Sequence, residues 1–182
     1  PDKKAILKQG TEINNFLVEN NLDKVENILK FFQSEENLLL LNGFMGTGKT
    51  EVVNHALSFL SQNVITLKYE CFETTILDDI LLDFFDTFKK YEALHIVDMP
   101  KAKADNFTQR INAYFNSINK PIIVLINSFD QVLKQNKRDI LNFLNYIAKN
   151  KQVKIILIAK KFEYEEFEQK YEKISVSALN KN

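Results

Sequence analysis

Apolar residues in this chain form short runs that alternate with segments of helical spacing. The runs read "NLLLLNG", "NVITLKYE", "PIIVLIN", "VKIILIA" and "KISVSA", at positions 37–43, 63–70, 121–127, 153–159 and 173–178. Short apolar runs of this kind are typical of strands buried on both faces. The pattern therefore predicts five strands.

The segments between the runs carry apolar residues at every third or fourth position, as amphipathic helices do. Such stripes run over positions 22–32, 52–60, 77–88, 107–118 and 140–148, and a charged helical segment is predicted at 163–171. Strands that alternate with helices predict an α/β fold with a parallel sheet covered on both faces. At 182 residues the chain is predicted to form a single domain, 1–182, with residues 1–36 as a helical lead-in.

A glycine-rich segment lies between the first strand and the helix that follows it. It reads Gly43-Phe44-Met45-Gly46-Thr47-Gly48-Lys49-Thr50 and is followed by Glu51. Glycine, four residues, glycine, lysine and a hydroxyl residue is the pattern of a phosphate-binding loop. Glycines let backbone N–H groups point at phosphate oxygens, and the helix adds the positive end of its dipole.

The residues of this loop have distinct expected roles. We expect the segment from Gly43 to Glu51 to bind a nucleotide, with Lys49 reaching the terminal phosphates. The Thr50 hydroxyl is expected to be a ligand of Mg²⁺. The sequence therefore predicts ATP and Mg²⁺ as the ligands of this site.

A second polar segment follows the third predicted strand, in "IIVLINSFDQV" at positions 122–132. The polar residues after the strand are Asn127, Ser128 and Asp130. In parallel α/β sheets, ligands bind at the carboxyl ends of the strands. Both polar segments are therefore predicted to lie at the same edge of the sheet.

With "GFMGTGKT" and "IIVLINSFDQV", the chain resembles the P-loop NTPases of the AAA+ and STAND kind, including origin-recognition-type initiator ATPases. The resemblance implies a three-layer core with five parallel strands in the order 5-1-4-3-2. It also implies that "VKIILIAKK" is the sensor strand and that Lys160, near which STAND members commonly have an arginine, contacts the nucleotide. The helical lid that usually follows the fifth strand is expected to be absent from these 182 residues.

The third strand departs from the pattern of that family. Asn127 stands where the Mg²⁺-associated aspartate is expected, and Ser128 stands where the water-activating glutamate is expected. An amide brings no charge to the metal, and the pKa of a serine hydroxyl is too high for a general base without help. We therefore expect an ATP-binding module that acts as a nucleotide-dependent switch or interaction module, with weak or no hydrolysis.

Two other functions stay open. Some P-loop ATPases carry the activating glutamate on the strand beside the third, and Glu70 ends the second strand here, which would make the domain an active ATP phosphohydrolase. "NSFD" and "VSAL", at 127–130 and 176–179, are similar to guanine-binding signatures of GTPases. The GTPase interpretation is weaker, because Ser128 replaces the signature lysine and no glycine follows the phosphate loop.

Composition adds expectations about partners and location. Lys plus Arg and Asp plus Glu are balanced at 24 each, so net charge does not support nucleic-acid binding, although a local basic patch stays possible. A protein partner or self-assembly is expected instead.

The longest apolar run, 122–126, is too short to span a membrane. Cys71 is the only cysteine, which excludes an internal disulfide and favours the reducing cytoplasm.

Overall fold

The structure of the protein is a computed structural model that describes residues 6–11, 22–43, 48–101, 103–161 and 172–175. The helices are α1 (Leu22–Gln33), α2 (Lys49–Leu57), α3 (Leu77–Ala93), α4 (Phe107–Ser117) and α5 (Lys134–Ile147). The strands are β1 (Leu38–Asn42), β2 (Ile65–Glu70), β3 (Ile122–Asn127), β4 (Val153–Ala159) and β5 (Glu172–Ser175). A 3-10 turn, Phe129–Gln131, follows β3.

All strand pairs are parallel, and the strands lie side by side in the order β2-β3-β4-β1-β5. The predicted parallel α/β sheet is confirmed, and so is the order 1-4-3-2 of its first four strands. β5 has four residues and pairs with β1 from Leu39–Glu172 to Asn42–Ser175. The predicted continuation of this strand at 176–178 and the predicted helical segment at 163–171 lie outside the described residues.

The sheet is buried between two layers of helices. Leu38 and Leu40 point toward the apolar layer formed by α3, α4 and α5, whereas Leu39 and Leu41 point toward α1 and α2. This alternation follows from the two-residue period of strand side chains. Because both faces of the strands are covered, the strands read as continuous apolar runs in the sequence.

Aromatic side chains hold α3 and α4 together above the sheet. The rings of Phe88 and Tyr114 stack with their centroids 4.8 Å apart, and Phe88 meets the edge of Phe115 at 5.2 Å. Phe88 and Phe115 are buried. Stacked and edge-to-face pairs of this kind stabilise a fold beyond the area they bury. They fix α3, and therefore the connection from β2 into α3.

The chain that precedes β1 is joined to the sheet by a buried lysine. Lys154, on β4, is only 3% exposed. Its Nζ donates to the carbonyl of Ser34 at 2.6 Å and to the carbonyl of Glu36, just after α1 ends. Further toward the amino terminus, Leu7 forms an isolated antiparallel bridge with Leu60. Within the ranges described, no helix has the length and apolar content that a membrane span requires.

The carboxyl ends of the strands meet at one edge of the sheet. Glu70 pairs in register with Asn127, and Asn42 pairs with Ala159. The turn after β3 is held at this edge by Phe129, whose side chain is fully buried in the layer under α3 and α5. Phe129 thus fixes the residues on either side of it, Ser128 and Asp130.

We expect Phe129→Ala to lower the free energy of unfolding by about 3–5 kcal/mol, because a fully buried aromatic side chain leaves a cavity when it is truncated. Phe72→Ala is the matched control, since Phe72 is 62% exposed and loses the same atoms. Urea denaturation of both variants measures the difference. Equal stabilities would show that the Phe129 ring does not anchor the turn.

Candidate nucleotide-binding site

The described ends of the predicted phosphate loop have the backbone geometry that the motif requires. Gly43 continues β1 and donates its N–H to the carbonyl of Ala159 at 3.2 Å. Gly48 has φ 86° and ψ 21°, a left-handed conformation that a residue with a side chain adopts only with strain. Phe44, Met45, Gly46 and Thr47 lie outside the described residues, so their predicted contacts with a nucleotide remain predictions.

Helix α2 begins immediately after Gly48, with its amino end at the carboxyl edge of the sheet. Its first intrahelical hydrogen bond runs from the Val52 N–H to the Gly48 carbonyl at 2.9 Å. The N–H groups of Thr50 and Glu51 precede that bond in the first turn, where backbone N–H groups point out of the amino end of a helix. The side chains of Thr50 and Glu51 are exposed in this first turn. A helix start of this kind favours anions.

The side chain of Lys49 reaches back to the end of β1. Its Nζ donates to the carbonyl of Gly43, which places the ammonium group between the two described ends of the loop. Partial burial lowers the pKa of Lys49, the charge of Asp130 opposes this shift, and the charge of Lys160 adds to it. Lys49, Asp130 and Lys160 therefore form one electrostatic group at the loop.

Asp130 and Lys160 are connected through the backbone. The Lys160 N–H donates to Oδ1 of Asp130 at 3.1 Å, so the carboxylate joins the turn after β3 to the end of β4. The predicted nucleotide contact of Lys160 concerns its side chain and stays a prediction. What the sequence did not reveal is the backbone contact, because any residue at position 160 except proline can make it.

Asn127 ends β3 and determines the conformation of the next residue. Its side-chain Oδ1 accepts the N–H of Ser128 at 2.9 Å. Ser128 has φ 58° and ψ 37°, which is uncommon for a residue other than glycine. Asn127 is half-buried at the same edge as the phosphate loop. Its predicted position near the metal-bound water is compatible with this geometry and stays a prediction.

The side chain of Ser128 reaches across to β2. Its Oγ donates to Oε1 of Glu70 at 2.5 Å. The backbones of the two strands are also joined here, since the Cys71 N–H donates to the Asn127 carbonyl at 2.9 Å. The structure thus brings Glu70, Asn127 and Ser128 together. The contact between Ser128 and Glu70 could not be predicted from the sequence, because it depends on the register of β2 against β3.

Cys71 follows Glu70 at the end of β2, and its side chain is buried. Burial raises the pKa of its thiol from 9.0 to about 12, and the negative charges of Glu70 and Asp130 act in the same direction. Both carboxylates therefore lie near one point at the end of β2. Cys71 is a neutral, buried side chain at this point and not a nucleophile.

The donor set suits a metal that is held mainly by phosphate oxygens. Among the residues that the structure describes, no group of three His, Cys, Asp or Glu side chains could hold a metal ion. Mg²⁺ in nucleotide sites is bound by one or two protein oxygens together with phosphates and waters. The exposed Thr50 in the first turn of α2 and the carboxylate of Asp130, whose charge acts on the neighbouring Lys49, fit that mode.

Comparison with known families places the chain. Residues 32–166 match the model of a family described as AAA domain, which is well over half of the chain. The chain therefore belongs to the AAA domain family, whose members are P-loop NTPases. A comparison with curated proteins gives no match.

Solved structures show the same fold. The chain is similar to the Aeropyrum pernix ORC1 protein in complex with DNA, with a TM-score of 0.61 and 14% identity over 93% of this chain and 47% of that one. Drosophila ORC bound to DNA gives 0.57 and 12% over 97% and 51%. C. elegans PCH-2 gives 0.51 and 13% over 88% and 43%. The chain thus spans about half the length of these proteins. The resemblance to the origin-recognition-like AAA+ kind is confirmed at the level of fold.

We expect the Cys71 thiol of the folded protein to resist alkylation. From the pKa values of 9.0 and about 12, the thiolate fraction near pH 8 is about a thousandfold lower in the folded than in the unfolded chain. Because the folded state holds the proton more tightly, the stability should also fall as the pH rises from about 9 toward 12.

Iodoacetamide labelling with and without urea measures the rate difference, with N-acetylcysteine in both solutions as the control for the reagent. Similar rates in the two states would mean that the end of β2 opens in the native protein.

Proposed function

We propose that this domain binds ATP with Mg²⁺ at the carboxyl edge of its sheet and acts as a nucleotide-dependent switch or interaction module with slow turnover. The observation that carries the proposal is the position of Lys49, whose ammonium group lies between the ends of a loop that follows a parallel strand and opens a helix. Membership of the AAA family supports ATP over GTP.

The residues that would hold the ligand follow from the geometry. The N–H groups at the start of α2 and the ammonium group of Lys49 would bind the phosphates. The Thr50 hydroxyl would be a metal ligand, and Asn127 would hold a metal-bound water. When bound, Mg²⁺ neutralises part of the phosphate charge. The predicted contacts of Gly43, Phe44, Met45, Gly46, Thr47, Glu51 and Lys160 with the nucleotide belong to the same proposal.

Slow turnover is proposed because β3 ends without an acid pair. Asn127 has a neutral amide, and Ser128 has a hydroxyl that donates a hydrogen bond to the carboxylate of Glu70. A neutral hydroxyl is by itself too weak a base to take the proton from an attacking water. A domain with this edge is suited to respond to bound ATP more than to consume it quickly.

An active ATPase is the second candidate function, and one observation favours it. The carboxylate of Glu70 lies at the same edge as the phosphate loop and is held there by Ser128. Glu70 could therefore activate water from β2 instead of β3. In that case the enzyme would be an ATP phosphohydrolase.

A protein partner or self-assembly in the cytoplasm completes the proposal. Phe72 and Ile76, which follow β2 at the nucleotide edge, are 62% and 42% exposed and offer apolar contact area there. DNA is present in two of the similar structures, and nucleic acid is a weaker proposal for this chain because its net charge is zero. The pairing of β5 with β1 supports the five-stranded core in the order 5-1-4-3-2 that the resemblance implies.

We expect Lys49→Ala to weaken ATP binding about ten- to a hundredfold, since it removes a charged donor aimed at the phosphates. Titration with a fluorescent ATP analogue measures the affinity. Lys149→Ala is the control, because Lys149 is exposed beyond α5 at the opposite edge of the sheet. Unchanged affinity in a folded Lys49→Ala protein would exclude this site, and a preference for GTP would favour the GTPase alternative.

We expect Asn127→Asp to increase the effect of Mg²⁺ on ATP affinity. The substitution keeps the oxygen that accepts the Ser128 N–H and adds a negative charge facing the site. ATP titrations with and without Mg²⁺ measure the ratio of affinities. Asn116→Asp, on the exposed face of α4, adds the same charge away from the site. An equal Mg²⁺ effect in both variants would place Asn127 away from the metal.

A further inference from the structure

We propose that Ser128 is a positioning residue for Glu70, and that the two together replace the water-activating acid which β3 lacks. The hydroxyl of Ser128 holds the carboxylate of Glu70 at the nucleotide edge, and Glu70 removes the proton from the attacking water. The inference rests on the proposed ATP site and deepens its second candidate function, since it assigns the turnover of ATP to two residues on neighbouring strands.

The Ser128 end of this hydrogen bond is held rigidly. The Ser128 N–H is held by Oδ1 of Asn127 at 2.9 Å, and the next side chain, Phe129, is fully buried. The Gln131 N–H donates to the Ser128 carbonyl at 2.9 Å, which closes the turn. Both backbone groups of Ser128 are therefore bound, and the direction of its Cβ is fixed.

The Glu70 end is held by the sheet. Glu70 pairs in register with Asn127, and the next residue, Cys71, is buried and donates its N–H to the Asn127 carbonyl. Only the side-chain torsions of Glu70 can vary. An exposed glutamate usually occupies several rotamers, and ordering it has an entropic cost. The 2.5 Å bond from Ser128 selects among these rotamers before any substrate arrives.

The two carboxylate oxygens of Glu70 would have separate roles, one as the acceptor for Ser128 and the other as the base for water. Oε1 of Glu70 accepts the Ser128 hydroxyl, and Oε2 can accept a proton from water. As that proton moves to Glu70, the water oxygen bonds to the terminal phosphorus of ATP. The bond from this phosphorus to the bridging oxygen breaks, and its electron pair stays on ADP. Glu70 then releases the proton to solvent, and the products are ADP and inorganic phosphate.

The identity of residue 128 is informative because its backbone would favour a different residue. At φ 58° glycine is unstrained, and asparagine or aspartate is more usual than serine. A turn without a function for this side chain would gain stability from glycine. Serine combines a tolerable strain with a short donor that reaches Glu70.

The test uses substitutions that separate the hydroxyl from the backbone. Ser128→Gly removes the hydroxyl and relieves the positive φ, so a purely structural role predicts no loss. We expect it to lower kcat about tenfold with little change in KM, the loss expected for one positioning hydrogen bond. Ser128→Asn suits the backbone and supplies an N–H donor, and should recover part of that loss. Glu70→Gln should lower kcat to the level of Lys49→Ala.

A second measurement does not depend on turnover. The ¹³C resonance of the Glu70 carboxyl carbon in the nucleotide-free protein should move in Ser128→Gly and move less in Ser128→Asn. Ser117→Gly, at the end of α4, is the control for loss of a hydroxyl elsewhere. An unmoved resonance in Ser128→Gly would show that the contact is absent in solution and would overturn the proposal.

ATP affinity is measured for every variant, so the two proposals can fail separately. If the native protein does not bind ATP, both are wrong. If it binds ATP but turns it over no faster than Lys49→Ala, the site stands and Glu70 is not the base. If Ser128→Gly keeps the native kcat, or if turnover survives Glu70→Gln, the positioning role is wrong while ATP binding stands.

Discussion

The parallel pairing of the four central strands is the constraint on which the rest of the structure depends. Parallel strands carry their carboxyl ends to one edge, so the loop after β1 and the turns after β2, β3 and β4 meet there. The register of β2 against β3, in which Glu70 is paired with Asn127, decides which polar side chains at the ends of the two strands lie close together. A shift by one position would turn Glu70 to the other face of the sheet and separate it from Ser128.

Charge at this edge is arranged around Asp130 instead of an acid at the end of β3. Its carboxylate accepts the Lys160 N–H and opposes the loss of charge on Lys49. One acid thus connects the turn after β3, the end of β4 and the start of α2. The side-chain oxygen of Asn127, at the end of β3, holds the backbone of Ser128, and this is the contact that the structure shows for it.

Much of the fold and the loop could be predicted because both depend on local patterns. Apolar runs identified the strands, and the spacing of Gly43, Gly48 and Lys49 predicted a phosphate-binding loop whose described ends follow a strand and begin a helix. The hydrogen bond between Ser128 and Glu70 could not be predicted, because it links residues 58 positions apart and depends on strand register and a positive φ. The role of Asp130 was hidden for a related reason, since its partner is a backbone N–H that carries no residue signature.

The buried Lys154 connects β4 to the end of α1, at the edge of the sheet opposite the nucleotide site. At one end of the strand its ammonium group is bound to carbonyls at the end of α1, and about 20 Å away the same strand ends at Lys160 beside Asp130. A buried cation cannot give up these carbonyls without a large loss of solvation energy. The end of α1 and the nucleotide edge are therefore joined through a single strand, and a displacement of the end of α1 would have to break these bonds or carry β4 with it.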